Sequence, residues 1–261
     1  MSPSPPKPPA LPAGPPGSAP LVPAPPVSAP LRLNLAALTA EELQHLLGEA
    51  AAQRMMPEVS QARLEGRVLA GDVVPREQEY QRQPERSWGS TPELARQLSS
   101  LRGELAQLGG TDLGVYYLPQ LAEVRHLRAY LFAPDTALAL RWSETPGSVR
   151  APAPFLLAAT LLRDRASGTA AVLSSTSALP FVPTQSEEID ARLHQGAPSP
   201  PATSAQALLE THRLQVARHG RGVRLGLVAG NEYADWLKVF ATVRQVNLAA
   251  WTRRGLLVEG G

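Results

Sequence analysis

Hydrophobic and polar positions divide the chain into a proline tract without periodicity, a helical stretch, and a series of short apolar runs. The first readable helix begins after Leu38, where Thr39 and Glu42 occupy the ends of an S/T-x-x-E capping box and Leu38 and Leu43 the positions of a hydrophobic staple. Leu43, Leu46, Leu47 and Ala50 continue it with one apolar face, and Pro57 is expected to break or end it. Residues 61–90 are polar and irregular, an exposed connection with one short strand or helical turn around Val68 to Val74. A second helix opens with Thr91 as N-cap and Pro92 in the first position, and stops at Gly109-Gly110. Leu94, Leu98, Leu101, Leu105 and Leu108 form a narrow seam along it, either packed on its own domain or offered to a partner helix.

Beyond Thr111 the pattern changes to runs of strand length: Leu113 to Leu118, Leu127 to Phe132, Ala137 to Trp142, Phe155 to Leu162 and Thr169 to Thr176. Ala133-Pro-Asp-Thr136 suits a tight turn and Asp164 to Gly168 a hairpin loop, so these strands are expected to be antiparallel. After a Pro-containing loop, Thr203 and Gln206 start a helix that ends near His219-Gly220. A short strand, Val223 to Val228, leads into the last and most apolar helix, from Asn231 to Thr252. Tyr233, Trp236, Leu237, Phe240, Val243 and Trp251 share one broad face of it, which requires cover.

The fold class expected from this pattern is α+β. An antiparallel sheet of four to six strands is packed by the two C-terminal helices on one face, with two N-terminal helices added. Three regions follow: residues 1–35 a disordered Pro/Ala-rich arm, 36–110 a helical segment with a polar connection, and 111–261 the α+β core domain. The arm reading rests on composition. Residues 1–30 hold 13 of the 27 prolines and a single charged side chain, Lys7, too little apolar surface to offset the entropy of ordering.

Several motifs carry a resemblance: Arg163-Asp-Arg-Ala-Ser-Gly-Thr169, the Ser174-Ser-Thr-Ser177 strand, Leu208-Leu-Glu-Thr-His-Arg213 and Arg254-Gly-Leu-Leu257. Together they resemble a group of bacterial α+β proteins without assigned activity. The resemblance implies a sheet-and-helix pattern and no particular chemistry.

Composition narrows the function classes. The formal net charge is +2, so the chain exerts no strong field on polyanions. No cysteine is present, which removes disulfides, thiolate nucleophiles and cysteine-ligated metals. The longest apolar run, Ala151 to Leu162, is interrupted by Pro152 and Pro154 and falls short of a membrane span. Recurrent proline precludes the apolar core of a signal peptide at the N-terminus, so the expected location is cytoplasmic.

Candidate chemistry is sparse. No G-x-S-x-G, H-E-x-x-H or Walker sequence occurs, and Ser174 to Ser177 have no base partner identifiable from sequence. Gly220-Arg-Gly-Val-Arg-Leu-Gly226 imitates a phosphate loop but follows a helix instead of preceding one, which makes Gly220 a helix C-cap. Asp190 and His194 could approach one another only if that proline-flanked loop were helical. His212, on a helix with His219, is a proton-transfer group, an anion ligand or simply polar surface; two helical turns separate the histidines, too far for one metal.

Arg213, Arg218, Arg221 and Arg224 accumulate against the lone acid Glu210, a local positive charge suited to an acidic partner, a phosphate or nucleic acid. Aromatic residues to stack bases are missing there, which counts against nucleic acid. Arg244 and Asn247 fall inside the apolar arc of the last helix; Arg244 either floors a ligand pocket or holds a carboxylate such as Asp112 or Glu123.

The functional expectation is a non-catalytic interaction or scaffolding module with no cofactor. Its protein partner would be recruited by the Pro-rich arm or the leucine seam. The alternatives are an enzyme of unrecognised type, or a binder of an anionic ligand or nucleic acid through the arginines at 213–224.

Overall fold

A computed structural model describes residues 29–121, 124–145, 153–165, 170–176, 204–225 and 230–260. Its architecture is mixed α+β with two antiparallel sheets. The larger sheet is a meander of β3 (Gln81–Gln83), β4 (Thr111–Tyr117), β5 (His126–Phe132), β6 (Thr136–Trp142), β7 (Phe155–Arg165) and β8 (Ala171–Ser175), in that spatial order. β9 (Gly220–Gly222) pairs with the far end of β7. The smaller sheet has β1 (Leu31–Asn34) between β2 (Ala70–Val74) and β10 (Leu257–Glu259). The helices are α1 (Ala40–Leu47), α2 (Glu49–Leu64), α3 (Pro92–Gln107), α4 (Ala205–His219) and α5 (Glu232–Arg253).

β5, β6 and β7 are apolar on both faces, and both faces are covered. On one, Leu127, Ala129, Leu131, Ala137, Ala139, Leu157 and Ala159 meet Trp236, Val239, Phe240 and Val243 of α5. The alanines leave room for the large rings, and Trp236 Nε1 donates to the carbonyl of Leu138 at 3.0 Å. On the other, Tyr130, Leu138, Leu140, Trp142, Leu156 and Ala158 meet α3 through Leu98 and Leu105, and α4 through Ala205, Leu208 and Leu209. The expectation that α4 and α5 share one face is therefore corrected: they lie on opposite faces, because each doubly apolar strand needs cover on both sides.

The leucine seam of α3 belongs to this second core. Leu98 and Leu105 are buried in it, and Leu94, Leu101 and Leu108 pack against it. The helix ends in a Schellman motif, with Gly109 (φ 84°) donating to Ala106 and Gly110 to Leu105.

The N-terminal region differs from expectation in three places. The boundary of the arm at residue 35 is corrected, since Leu31 to Asn34 form the central strand of the smaller sheet; residues 1–28 lie outside the described residues. Leu31 and Leu33 join Leu43, Val59, Val74, Trp251 and Leu257 in a third core that ties β1, α1 and α2 to the end of α5 and β10. The helical break falls at Gly48 (φ 79°) and not at Pro57, which sits inside α2. Burial of Ala52, Val59 and Ala62 against the third core holds α2 together through the proline.

Two strand expectations also change. The polar run read as an exposed connection contains β3, whose alternation is invisible because an edge strand is held by its backbone ladder to β4. The strand expected at Val223 to Val228 is instead β9, directly after the Gly220 cap, which donates to Val216; residues 226–229 lie outside the described residues.

Candidate functional site

The turn between β5 and β6 is Ala133-Pro134-Asp135, with a cis peptide before Pro134. Leu225 donates its backbone N–H to the Pro134 carbonyl at 3.0 Å, which draws the segment after β9 over this turn. Val223 likewise donates to Leu161 on β7 at 2.7 Å. Between these elements and α4 lies a cavity of about 480 Å³, lined by Asp135, Thr136, Arg163, Arg213, Arg221 and Arg224 among its polar side chains.

Three of the four arginines singled out from sequence therefore converge on one cavity, and β7 adds a fourth member, Arg163. Arg218 is exposed and does not line the cavity. Among the described residues, Arg213 and Arg224 make no hydrogen bond or ion pair, while Arg221 and Arg163 reach Asp164 only at 3.7 and 3.9 Å. Among the described residues Asp135 is the one carboxylate in the lining.

Behind Asp135 runs a buried chain of polar groups. Thr136 Oγ1 donates to Asp135 Oδ1 at 3.1 Å, Thr136 and Thr160 hydroxyls are 3.1 Å apart, Thr160 Oγ1 lies 2.9 Å from His212 Nε2, and His212 Nδ1 lies 3.0 Å from Ser174 Oγ. Donor directions follow from the end of the chain. A hydroxyl has one proton, so Thr136, donating to Asp135, must accept from Thr160; Thr160 then accepts from His212 Nε2–H, and in the neutral ring Nδ1 accepts from Ser174.

His212 is fully buried, which corrects the readings that make it polar surface or a direct ligand for an anion. Ser174 is partnered by its ring, a contact that joins β8 to α4 across residues far apart in sequence. His219 is also buried. Asp190 and His194 lie outside the described residues.

Arg244 and Asn247 are buried, as their positions on α5 require. They sit between the core under the larger sheet, which holds Val243, and the third core, which holds Trp251. Arg244 donates to the Pro75 carbonyl at 2.6 Å and lies over the Trp251 ring at 5.6 Å. Asp112 is engaged elsewhere, which corrects one carboxylate expected for Arg244; Glu123, the other, lies outside the described residues.

Asp112 belongs to a polar cluster with no motif in the sequence. Arg128 Nε bonds both Asp112 oxygens at 2.9 and 2.8 Å, and its terminal nitrogens bond Glu85 at 3.0 and 2.9 Å. Arg102 closes the network with Glu85 at 3.1 Å. Burial pushes against the charged form of Arg128, but its two carboxylates outweigh it, and its pKa is raised. Nearby, Tyr116 and Tyr233 stack at 4.7 Å, and burial pushes the Tyr233 hydroxyl up to about 12. A β-bulge between Asp112 and Gly114 (φ 95°) sets this geometry, a signal that strand periodicity does not carry.

Among the described residues no group of three His, Asp or Glu side chains is placed to hold a metal, and no helix is long and apolar enough to cross a membrane. Comparison with protein-family models, with curated proteins and with solved structures finds no match.

Proposed function

We propose that this protein is a non-catalytic binding module whose arginine-lined cavity takes an anionic ligand. The observation that carries the reading is the convergence of Arg163, Arg213, Arg221 and Arg224, from β7, α4 and the segment that starts with β9, on one cavity of small-molecule size. Four guanidiniums outnumber the carboxylates beside them, Asp135 in the lining and Asp164 at 3.7 and 3.9 Å from Arg221 and Arg163, and an anion relieves the repulsion that remains while accepting their forked donors. Arg213 and Arg224 make no ion pair among the described residues and are free to do this.

A binding role is favoured over catalysis because His212, the best-placed imidazole, has no exposed surface from which to exchange a proton with a substrate. A cytoplasmic location, and recruitment of a protein partner by the Pro-rich arm, belong to the same proposal and rest on sequence alone.

The test is calorimetric titration of the full-length protein with inorganic phosphate at low and high salt, beside the double variant Arg213→Ala/Arg224→Ala. Saturable, salt-sensitive binding that weakens at least about tenfold in the variant is expected, from loss of two charge-assisted contacts. Absence of binding, or equal binding by the variant, overturns the reading.

A further inference from the structure

Asp135 is a repulsive element in a cavity built for anions, yet it is held firmly in place. Its Oδ1 accepts the Thr136 hydroxyl, whose position is in turn set by the buried Thr160 and His212. Its Oδ2 makes no hydrogen bond or ion pair among the described residues, although four arginines line the same cavity. The carboxylate also occupies the space where a side chain at position 222 would project: a Cβ on Gly222 would fall 1.9 Å from Oδ2. A glycine at this point keeps the acceptor in the lining.

Resting on the anion-binding reading above, we propose that the ligand is a phosphorylated polyhydroxy compound. Its phosphate is held by the arginines, and a hydroxyl donates to Asp135 Oδ2. An ionised carboxylate only accepts, so it demands a donor from whatever lies beside it. A ligand ammonium would meet the field of four guanidiniums, whereas a neutral hydroxyl supplies the proton without that repulsion. A cavity of about 480 Å³ exceeds what a bare phosphate fills and accommodates a small sugar. Asp135 then acts as a specificity element. It costs affinity for every anion and returns it only to those with a donor at the right separation.

The experiment titrates full-length protein with ribose 5-phosphate, propyl phosphate and inorganic phosphate, in the native chain and in Asp135→Asn and Asp135→Ser, with circular dichroism confirming that each variant is folded. The native protein is expected to bind ribose 5-phosphate about tenfold more tightly than propyl phosphate, the size of one hydrogen bond to a charged acceptor. Both variants should lose that preference while binding inorganic phosphate as well as or better than the native chain. Equal binding of the three ligands by native protein overturns the role of Asp135 and leaves the anion reading standing. A preference that survives in both variants does the same. Failure of all three ligands to bind removes the anion reading, and this inference with it.

Discussion

Gly222 of β9 and Asp135 of the β5–β6 turn, 87 positions apart, approach so closely that a Cβ on the glycine would lie 1.9 Å from one carboxylate oxygen and 2.7 Å from the aspartate Cβ. Rotation of the side chain alone cannot relieve such a contact, because Asp135 Cβ is itself too near. Gly222→Ala is thus expected to move the turn away from β9. Overpacking of this kind costs about 1–3 kcal/mol, to be read as a lower urea midpoint. If phosphate binds in the cavity, its affinity should change in the same variant, since the turn and Arg221 are displaced together.

The chain of hydroxyls from Asp135 to His212 selects one tautomer of the neutral ring, with the proton on Nε2. Nitrogen-15 spectra of the histidine rings should show Nε2 protonated and Nδ1 bare for His212. Thr160→Val keeps the shape and removes the hydroxyl that accepts from Nε2, so a buried donor loses its partner at a cost of about 1–3 kcal/mol. A spectrum with the proton on Nδ1 would mean that the polarity of the chain is reversed.

Elements whose stability comes from local pattern are legible in the amino-acid sequence alone. Thr39 and Glu42 form the capping box as spaced, Thr91 caps α3, and the apolar runs Leu127 to Phe132 and Ala137 to Trp142 become β5 and β6. In α4 the helix lies where its pattern places it, although the cap is Ser204 and not Thr203. What local pattern does not reveal depends on pairing across the chain. β3 has no apolar period because only its backbone is recruited, and β1 lies at the end of a proline tract, held by β2 and β10 from distant sequence. The arginine cluster is visible as a run of charge, but Asp135, Thr136 and Arg163 join it only through the fold. His212 stands out in the sequence as a candidate, but its partnership with Ser174 arises only when β8 and α4 bring the two together.

α1 and the turn after α5 are joined by a charged pair. Glu42 of α1 accepts from Arg254 at 3.0 Å while its other oxygen accepts from the Thr39 backbone at 2.8 Å, and the carboxylate is almost fully buried. Arg254 directly precedes Gly255 (φ 72°), the left-handed residue that turns α5 toward β10. Glu42→Ala removes the cap contact and the pair at once, and a loss of about 2–4 kcal/mol is expected. Combined with Arg254→Met in a double-mutant cycle, the losses should be strongly non-additive. Simple additivity would show that the pair is not what couples α1 to the C-terminal turn.

Stability should fall at both ends of the pH scale for identifiable reasons. His126 packs among Trp88, Tyr117 and Trp142, and burial pulls its pKa below the ordinary 6.5; Arg86 and Arg125 act in the same direction and Glu144 opposes them. The unfolded chain then takes up this proton first. The contribution is complete above pH 6.5 and is lost as the pH falls from there through the lower folded value. Tyr233 has the opposite sign: burial raises its hydroxyl to about 12 from 10.0, so its contribution is complete below 10.0 and is lost as the pH climbs through 12. Urea midpoints between pH 7.5 and 5 should decline less steeply in His126→Gln than in the native chain, whatever the substitution does to the level. An ultraviolet titration should show late, cooperative ionisation of Tyr233 together with Tyr116 and Tyr130, all three raised first by burial. If the acid slopes of native protein and His126→Gln coincide, the aromatic cage is not the acid-sensitive element.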